Sequence, residues 1–77
     1  MNQNYNEVSD LGLAASLSAA GFAIARVDKT NPRRAVFVFK DSPNLRSTIE
    51  LFWSGELRLP ASTLLESIRK LKSRIYS

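Results

Sequence analysis

The 77-residue chain contains no cysteine and no histidine. The lack of cysteine excludes disulfides and thiolate metal sites, and the lack of histidine removes the commonest general base and a common metal ligand. The serines have no obvious base to activate them, and the three glycines form no phosphate-cradling loop. We therefore expect no enzymatic activity and neither a metal nor any other cofactor.

Long apolar segments are absent as well. No apolar run approaches the roughly 18 residues that a membrane span requires, and the first ten residues lack a basic segment ahead of an apolar core. The absence of cysteine also fits a reducing compartment. We therefore expect a cytoplasmic protein that has no membrane partner.

Acidic residues are in the minority. Seven Asp and Glu stand against eleven Lys and Arg, which leaves a formal net charge of +4. Such an excess favours acidic partners, above all DNA or RNA, because opposite charges attract. A charge of this size also serves solubility in a small domain.

The clearest pattern is a pair of strand-forming runs within Phe22–Lys40. In the second run, Phe37 and Phe39 alternate with Val36 and Val38, which is the period of two that places side chains on opposite faces of a strand. We expect a hairpin at the centre of the fold. Because both faces of the second strand are apolar, either helices cover both faces or one face is left for a partner.

The segment Asp-Lys-Thr-Asn-Pro-Arg, residues 28–33, separates the two runs. Asp and Asn side chains bond to their own backbone, and Pro32 restricts the backbone before it, so the segment predicts a turn. Its length predicts a wider loop than a two-residue hairpin turn.

Three segments carry helix signals. The first begins at Ser9 or Asp10, which are good N-caps, and ends at Gly21. The second begins at Ser42, and the third begins between Pro60 and Thr63. The side chains expected in the core, from these helices and the hairpin, are Leu13, Leu17, Phe37, Phe39, Leu45, Ile49, Phe52, Trp53, Leu64, Ile68, Leu71 and Ile75.

Alternation in Glu56–Leu59, between Gly55 and Pro60, predicts a short third strand. Residues 1–8 are polar and aperiodic, which predicts a flexible amino terminus. The expected architecture is therefore one small α+β domain over residues 9–77. Its order would be α-β-β-α-β-α, with a three-stranded, mainly antiparallel sheet and helices packed chiefly on one face.

Two groups of basic residues are candidates for contact with nucleic acid, one at the hairpin tip (Lys29, Arg33 and Arg34) and one on the last helix, together with Arg58 of the expected third strand. Cationic side chains there can hold backbone phosphates, and aromatic side chains beside them can stack on bases if they are exposed. The alternative is that the cations are ordinary solvated residues and that Phe37 and Phe39 belong to the core. The candidate residues are Lys29, Arg33, Arg34, Arg58, Arg69, Lys70, Lys72 and Arg74.

Four short motifs follow one another along the chain: Asp-Leu-x-Leu-Ala, a glycine before an aromatic residue, Thr-x-Pro-basic ahead of Phe-x-Phe, and an aromatic pair shortly before a glycine. They comprise Asp10, Leu11, Leu13, Ala14, Gly21, Phe22, Thr30, Pro32, Arg33, Phe37, Phe39, Phe52, Trp53 and Gly55. In this combination the chain resembles a family of small uncharacterised bacterial domains associated with phages and other mobile elements. The resemblance spans most of Ser9 to Tyr76. It implies no particular activity, but its setting implies nucleic-acid transactions or the blocking of a host protein.

Two hypotheses follow for the function. The first is a small nucleic-acid-binding module with little base specificity. The second is a protein-interaction module, such as an adaptor, a host-protein inhibitor or a homodimer, that uses a spare apolar surface. The second requires Val36, Val38, Leu11 and Leu51 to be exposed and contiguous. The first requires these side chains to be covered and five arginines to share one face: Arg33, Arg34, Arg58, Arg69 and Arg74.

Overall fold

The computed structural model describes residues 4–31 and 33–76. The fold is α+β with a three-stranded antiparallel sheet, which confirms the predicted class, but the predicted order of elements is wrong. The observed order is β-α-β-β-α-α, with elements β1 (Tyr5–Val8), α1 (Leu11–Ala19), β2 (Ile24–Asn31), β3 (Arg34–Lys40), α2 (Pro43–Ser54) and α3 (Ala61–Tyr76).

The third strand comes from the amino-terminal segment and not from Glu56–Leu59. β1 lies antiparallel to β3, on the side opposite β2, with Val8 across from Phe37. Residues 5–8, which we expected to be part of a flexible terminus, thus form a strand of the sheet, while residues 1–3 lie outside the described residues. A four-residue edge strand that buries a single side chain, Val8, leaves no period-two pattern to detect.

Residues 56–59 form an irregular connection between α2 and α3. The backbone N–H groups of Glu56 and Leu57 both donate to the carbonyl of Leu51 and thereby close the end of α2. Gly55 follows the helix with φ of 80°. These bonds satisfy a carbonyl group that a helix end leaves unpaired. The backbone of this segment therefore forms hydrogen bonds with α2 and not with a strand.

The hairpin is tighter than its polar segment predicted. β2 ends at Asn31 and β3 begins at Arg34, leaving two residues between the strands; Pro32, on which part of the turn prediction rested, lies outside the described residues. A register shift between Asp28 and Asn31 accommodates an extra residue within β2. The Asn31 side chain accepts a hydrogen bond from the N–H of Arg33 at 2.9 Å, a contact typical of asparagine in turns.

Helix α1 lies at the centre of the core. Five consecutive residues, Leu13–Leu17, are buried, which is more than one turn, so other elements enclose the helix on all sides. It packs against both other helices, and Ala14 and Ala15 permit close contact. Phe37 and Phe39 of β3 are buried in the same cluster, as predicted.

Trp53 is the exception among the predicted core residues. Its side chain is 62 % exposed, whereas Leu45 at the start of the same helix is fully buried. At roughly 100° per residue, Phe52 lies close to the line of Leu45 and Trp53 falls at the margin of the apolar stripe. The Trp53 ring packs edge-on against Phe52 at a centroid distance of 4.9 Å.

The face of β3 that carries Val36 and Val38 is neither covered by helices nor left fully exposed for a partner. Val38 is buried, yet it does not belong to the cluster formed with the helices; its partners across the sheet are Glu7 and Arg26. Val36 is half-buried. Because long side chains cover apolar neighbours with their aliphatic stems, we attribute the burial of Val38 to these flanking residues.

Candidate nucleic-acid interface

The hairpin tip, the start of α1 and the end of α3 together enclose a cleft of about 260 Å³. We call it the tip cleft. Its floor is apolar, and its rim is polar or aromatic. The floor consists of Leu11, Ala35, Phe37 and Ile75, and the rim of Ser9, Arg33, Arg34 and Tyr76.

A neighbouring hydroxyl orients one of the two rim guanidinium groups. Nη2 of Arg34 donates to Oγ of Ser9 at 2.6 Å, and Ser9 is held in place because Asp10, the next residue, caps α1. Among residues 4–31 and 33–76, no carboxylate forms an ion pair with Arg33 or Arg34. Their positive charge is therefore available to an anionic ligand.

The structure joins the two basic groups that lie far apart in the sequence. Nζ of Lys29, near the hairpin tip, donates to the backbone carbonyl of Arg74 in the last turn of α3 at 3.1 Å. The last carbonyls of a helix lack partners within the helix and form the negative end of its dipole, so an ammonium group is favourable there. This contact fixes the end of α3 beside the hairpin.

One side of α3 extends the tip cleft. At roughly 100° per residue, Leu65, Arg69, Lys72 and Tyr76 fall within about 60° of one another and span about 16 Å along the helix. All four are exposed. We call this row the α3 stripe. Since Tyr76 belongs to both the stripe and the cleft, the two form one continuous surface.

The other two basic residues of α3 do not join that stripe. Lys70 and Lys72 are separated by roughly 200° around the helix, and Arg74 lies on the side of Lys70. Lys70 also approaches Glu66 at 3.7 Å, which offsets part of its charge. The basic residues of the last helix are therefore divided between two sides of it, and only Arg69 and Lys72 lie on the side that carries Tyr76.

Two rim residues were not among the sequence-based candidates. Ser9 was considered only as a helix cap and Tyr76 was given no role in binding, yet Tyr76 is 82 % exposed. The sequence does carry a signal for Tyr76, because basic residues precede it by four and seven positions, on the same side of a helix. No such signal marks Ser9, whose role depends on a contact with Arg34, 25 residues away.

Asp28 is the acidic residue nearest the tip in the sequence, and local hydrogen bonds engage it. Its Oδ1 accepts from the hydroxyl of Thr30 at 2.6 Å and from the N–H of Thr30 at 2.9 Å. These bonds, and to a smaller extent the charge of Arg26, hold the pKa of Asp28 below its ordinary value against the opposing effect of desolvation. Asp28 does not line the tip cleft.

A family model described as a domain of unknown function, DUF5659, matches residues 3–77. The chain belongs to the DUF5659 family. This membership confirms the resemblance to a family of small domains whose function is unknown. No curated protein and no solved structure matched the chain.

In this DUF5659 domain, Arg58 lies apart from the other candidates. It precedes α3, whereas the tip cleft lies at the opposite end of that helix. A helix of 16 residues is about 24 Å long. Arg58 therefore does not belong to the same surface. Of the five arginines expected to share one face, Arg58 and Arg74 do not lie on the face of the others.

A second cleft of the DUF5659 domain, about 270 Å³ in volume, lies where α2 meets α3. Its lining is mostly apolar and includes Phe52, Leu57, Leu59 and Leu64. Of the side chains proposed for protein interaction, Leu51 is 41 % exposed, while the others are buried or half-buried. They do not form one exposed surface.

Within the described part of the DUF5659 domain, no group of acidic side chains is arranged to hold a metal ion. Nor is any helix in residues 4–31 and 33–76 both long and apolar enough to cross a membrane.

Proposed function

We propose that this domain is a non-enzymatic cytoplasmic module that binds the backbone of DNA or RNA through the tip cleft and the α3 stripe. The observation that carries the proposal is the pair Arg33 and Arg34 on one rim, which no described carboxylate neutralises. Arg69 and Lys72 extend the positive surface along α3. Cationic side chains spaced along one surface match the repeating charge of a nucleic-acid backbone.

Binding of this kind carries little sequence information. Phosphate contacts position a protein on nucleic acid, while sequence is read through base edges. We propose weak sequence preference because the α3 stripe offers two cations and two apolar or aromatic side chains, and none of the usual amide groups that read base edges. The phage or mobile-element setting belongs to the same proposal, since such elements act on nucleic acids.

Salt dependence measures the number of phosphate contacts. Four cations, Arg33, Arg34, Arg69 and Lys72, predict a slope of log affinity against log salt of roughly −3 to −4, because each neutralised phosphate releases counterion. Fluorescence anisotropy with labelled single- and double-stranded DNA and RNA gives this slope. The proposal fails if no nucleic acid binds at low salt.

Two double variants that remove the same charge distinguish binding at the tip cleft from attraction by the net charge of the domain. Arg33→Gln with Arg34→Gln should reduce the magnitude of the slope by about 1–2. Arg26→Gln with Lys40→Gln removes the same two charges elsewhere and should change it much less. Lys40 lies six residues along β3 from Arg34, a distance of roughly 20 Å. Equal effects of the two double variants would indicate attraction by net charge and not a site.

The second candidate function is protein interaction at the cleft between α2 and α3. The observation that favours it is the exposure of Trp53, at 62 %, on the helix that contributes Phe52 to that cleft. An adaptor, a host-protein inhibitor or a homodimer would use such a surface. This candidate becomes the better one if nucleic acid does not bind, and light scattering then tests for the homodimer.

A further inference from the structure

We infer that the tip cleft receives one unpaired base of a single strand, which stacks on Tyr76 while the flanking phosphates contact Arg33 and Arg34. This inference rests on the proposed function and adds the class of nucleic acid. The domain would then prefer single-stranded to double-stranded nucleic acid, with Tyr76 as the residue that discriminates between them.

The chemistry of the cleft matches a nucleotide and not a duplex backbone. Leu11, Ala35 and Ile75 give it an apolar floor, and the two arginines give it a cationic rim. A nucleotide likewise combines a flat apolar base with a charged phosphate. A duplex encloses its base faces in the stack and presents phosphates and base edges, so the apolar floor would have no counterpart there.

Tyr76 is placed to act as a stacking platform. It is 82 % exposed, the largest exposure among the large hydrophobic side chains of the described residues, and it lines the cleft beside the two arginines. Aromatic rings beside cations are the usual means of binding single strands, because every base has a face that can stack. Phe37 and Phe39 cannot serve in this way because they are buried at 1 % and 0 % exposure.

The volume of the tip cleft and the fixed position of Arg34 favour the binding of a single base. Its volume of about 260 Å³ lies just below the roughly 300–1,000 Å³ of sites that enclose drug-sized ligands. The Ser9 hydroxyl positions the guanidinium of Arg34 before any ligand binds. From the cleft, a strand can continue along the α3 stripe past Lys72 and Arg69.

The test compares two substitutions at one position. Tyr76→Leu keeps an apolar side chain but removes the ring, and Tyr76→Phe keeps the ring. Tyr76→Leu should weaken binding to an oligothymidylate of about 12 nucleotides by roughly 5- to 150-fold, the range for loss of one stacked base. Tyr76→Phe should bind as the parent does. Trp53→Leu, which removes an exposed ring outside the cleft, should also leave the affinity unchanged.

Two further measurements show whether Tyr76→Leu weakens binding through loss of stacking, and not through a change in electrostatic contacts or in folding. Tyr76→Leu should leave both the salt slope and the affinity for a duplex nearly unchanged, because stacking releases no counterion. Circular dichroism should show the parent helix content, since Tyr76 is the last residue of α3 and is exposed.

Each outcome bears on one proposal or on both. Equal affinity for single and double strands, or a Tyr76→Leu variant that binds the single strand as the parent does, overturns the single-strand inference and leaves backbone binding in place. If neither single-stranded nor double-stranded nucleic acid binds detectably at low salt, both the proposed function and the single-strand inference are overturned.

Discussion

Replacing Phe37 by alanine should remove much of the stability of this domain. Phe37 is 1 % exposed, lies across the sheet from Val8 and Val27, and belongs to the cluster that surrounds α1. Removing the ring forfeits its transfer from water and leaves a cavity that the enclosed core cannot fully close. A Phe→Ala change of this kind costs about 3–5 kcal/mol.

That loss is large against the total stability. At about 0.05–0.15 kcal/mol per residue, a 77-residue domain has an unfolding free energy of about 4–12 kcal/mol. Phe37→Ala should therefore range from strongly destabilised to largely unfolded. Phe37→Leu retains part of the volume and should cost about 1–2 kcal/mol, which keeps the effect measurable if the alanine variant does not fold.

Urea unfolding followed by circular dichroism is the suitable measurement, because three helices dominate the signal. Trp53 fluorescence is a poorer probe, since its side chain is already 62 % exposed in the folded state. Leu51→Ala is the control: Leu51 is 41 % exposed, so its truncation should cost less than about 1 kcal/mol. If Phe37→Ala shifted the midpoint no more than Leu51→Ala does, the burial of Phe37 in the cluster around α1 would be wrong.

Two further predictions concern local structure. Gly55 has φ of 80°, and there is open space around the position of a Cβ. Gly55→Ala should therefore lower the free energy of unfolding by about 1–2 kcal/mol through the backbone conformation alone, and Gly55→Asn should lower it less. Equal decreases for the two variants in urea unfolding would contradict this explanation. The pKa of Asp28 should lie below its ordinary value of 3.8, and Thr30→Val should raise it because the hydroxyl is the largest cause of the shift. NMR titration of the Asp28 carboxyl carbon measures this pKa, and Thr48→Val is the control. If the pKa of Asp28 were unchanged in Thr30→Val, the Thr30 hydroxyl would not be the largest cause of the shift. Because the folded-state pKa is lowered, the associated stability is present above about pH 3.8 and is lost as the pH falls through the folded value.

The amino-acid sequence by itself determined the features that depend on neighbouring residues. Ser42 caps α2 as predicted, and Asp10, one of the two residues predicted as possible caps, caps α1. Their side-chain oxygens accept from backbone N–H groups three residues on. The alternation at Phe37 and Phe39 placed both rings correctly in the core. Caps and periodicity are local, because the groups that interact lie within about one turn or on alternate residues of one strand.

Other features were decided only by the tertiary structure. Val8 becomes part of β1 because β3, about 30 residues away, offers it a free edge. Lys29 meets the carbonyl of Arg74, and Tyr76 reaches the rim beside Arg34, because the sheet and α3 pack around the same central helix. Contacts across such separations impose no period on either segment. The sequence therefore supplied the cations and the aromatic ring, and the packing of α3 beside the hairpin brought part of that set to one cleft.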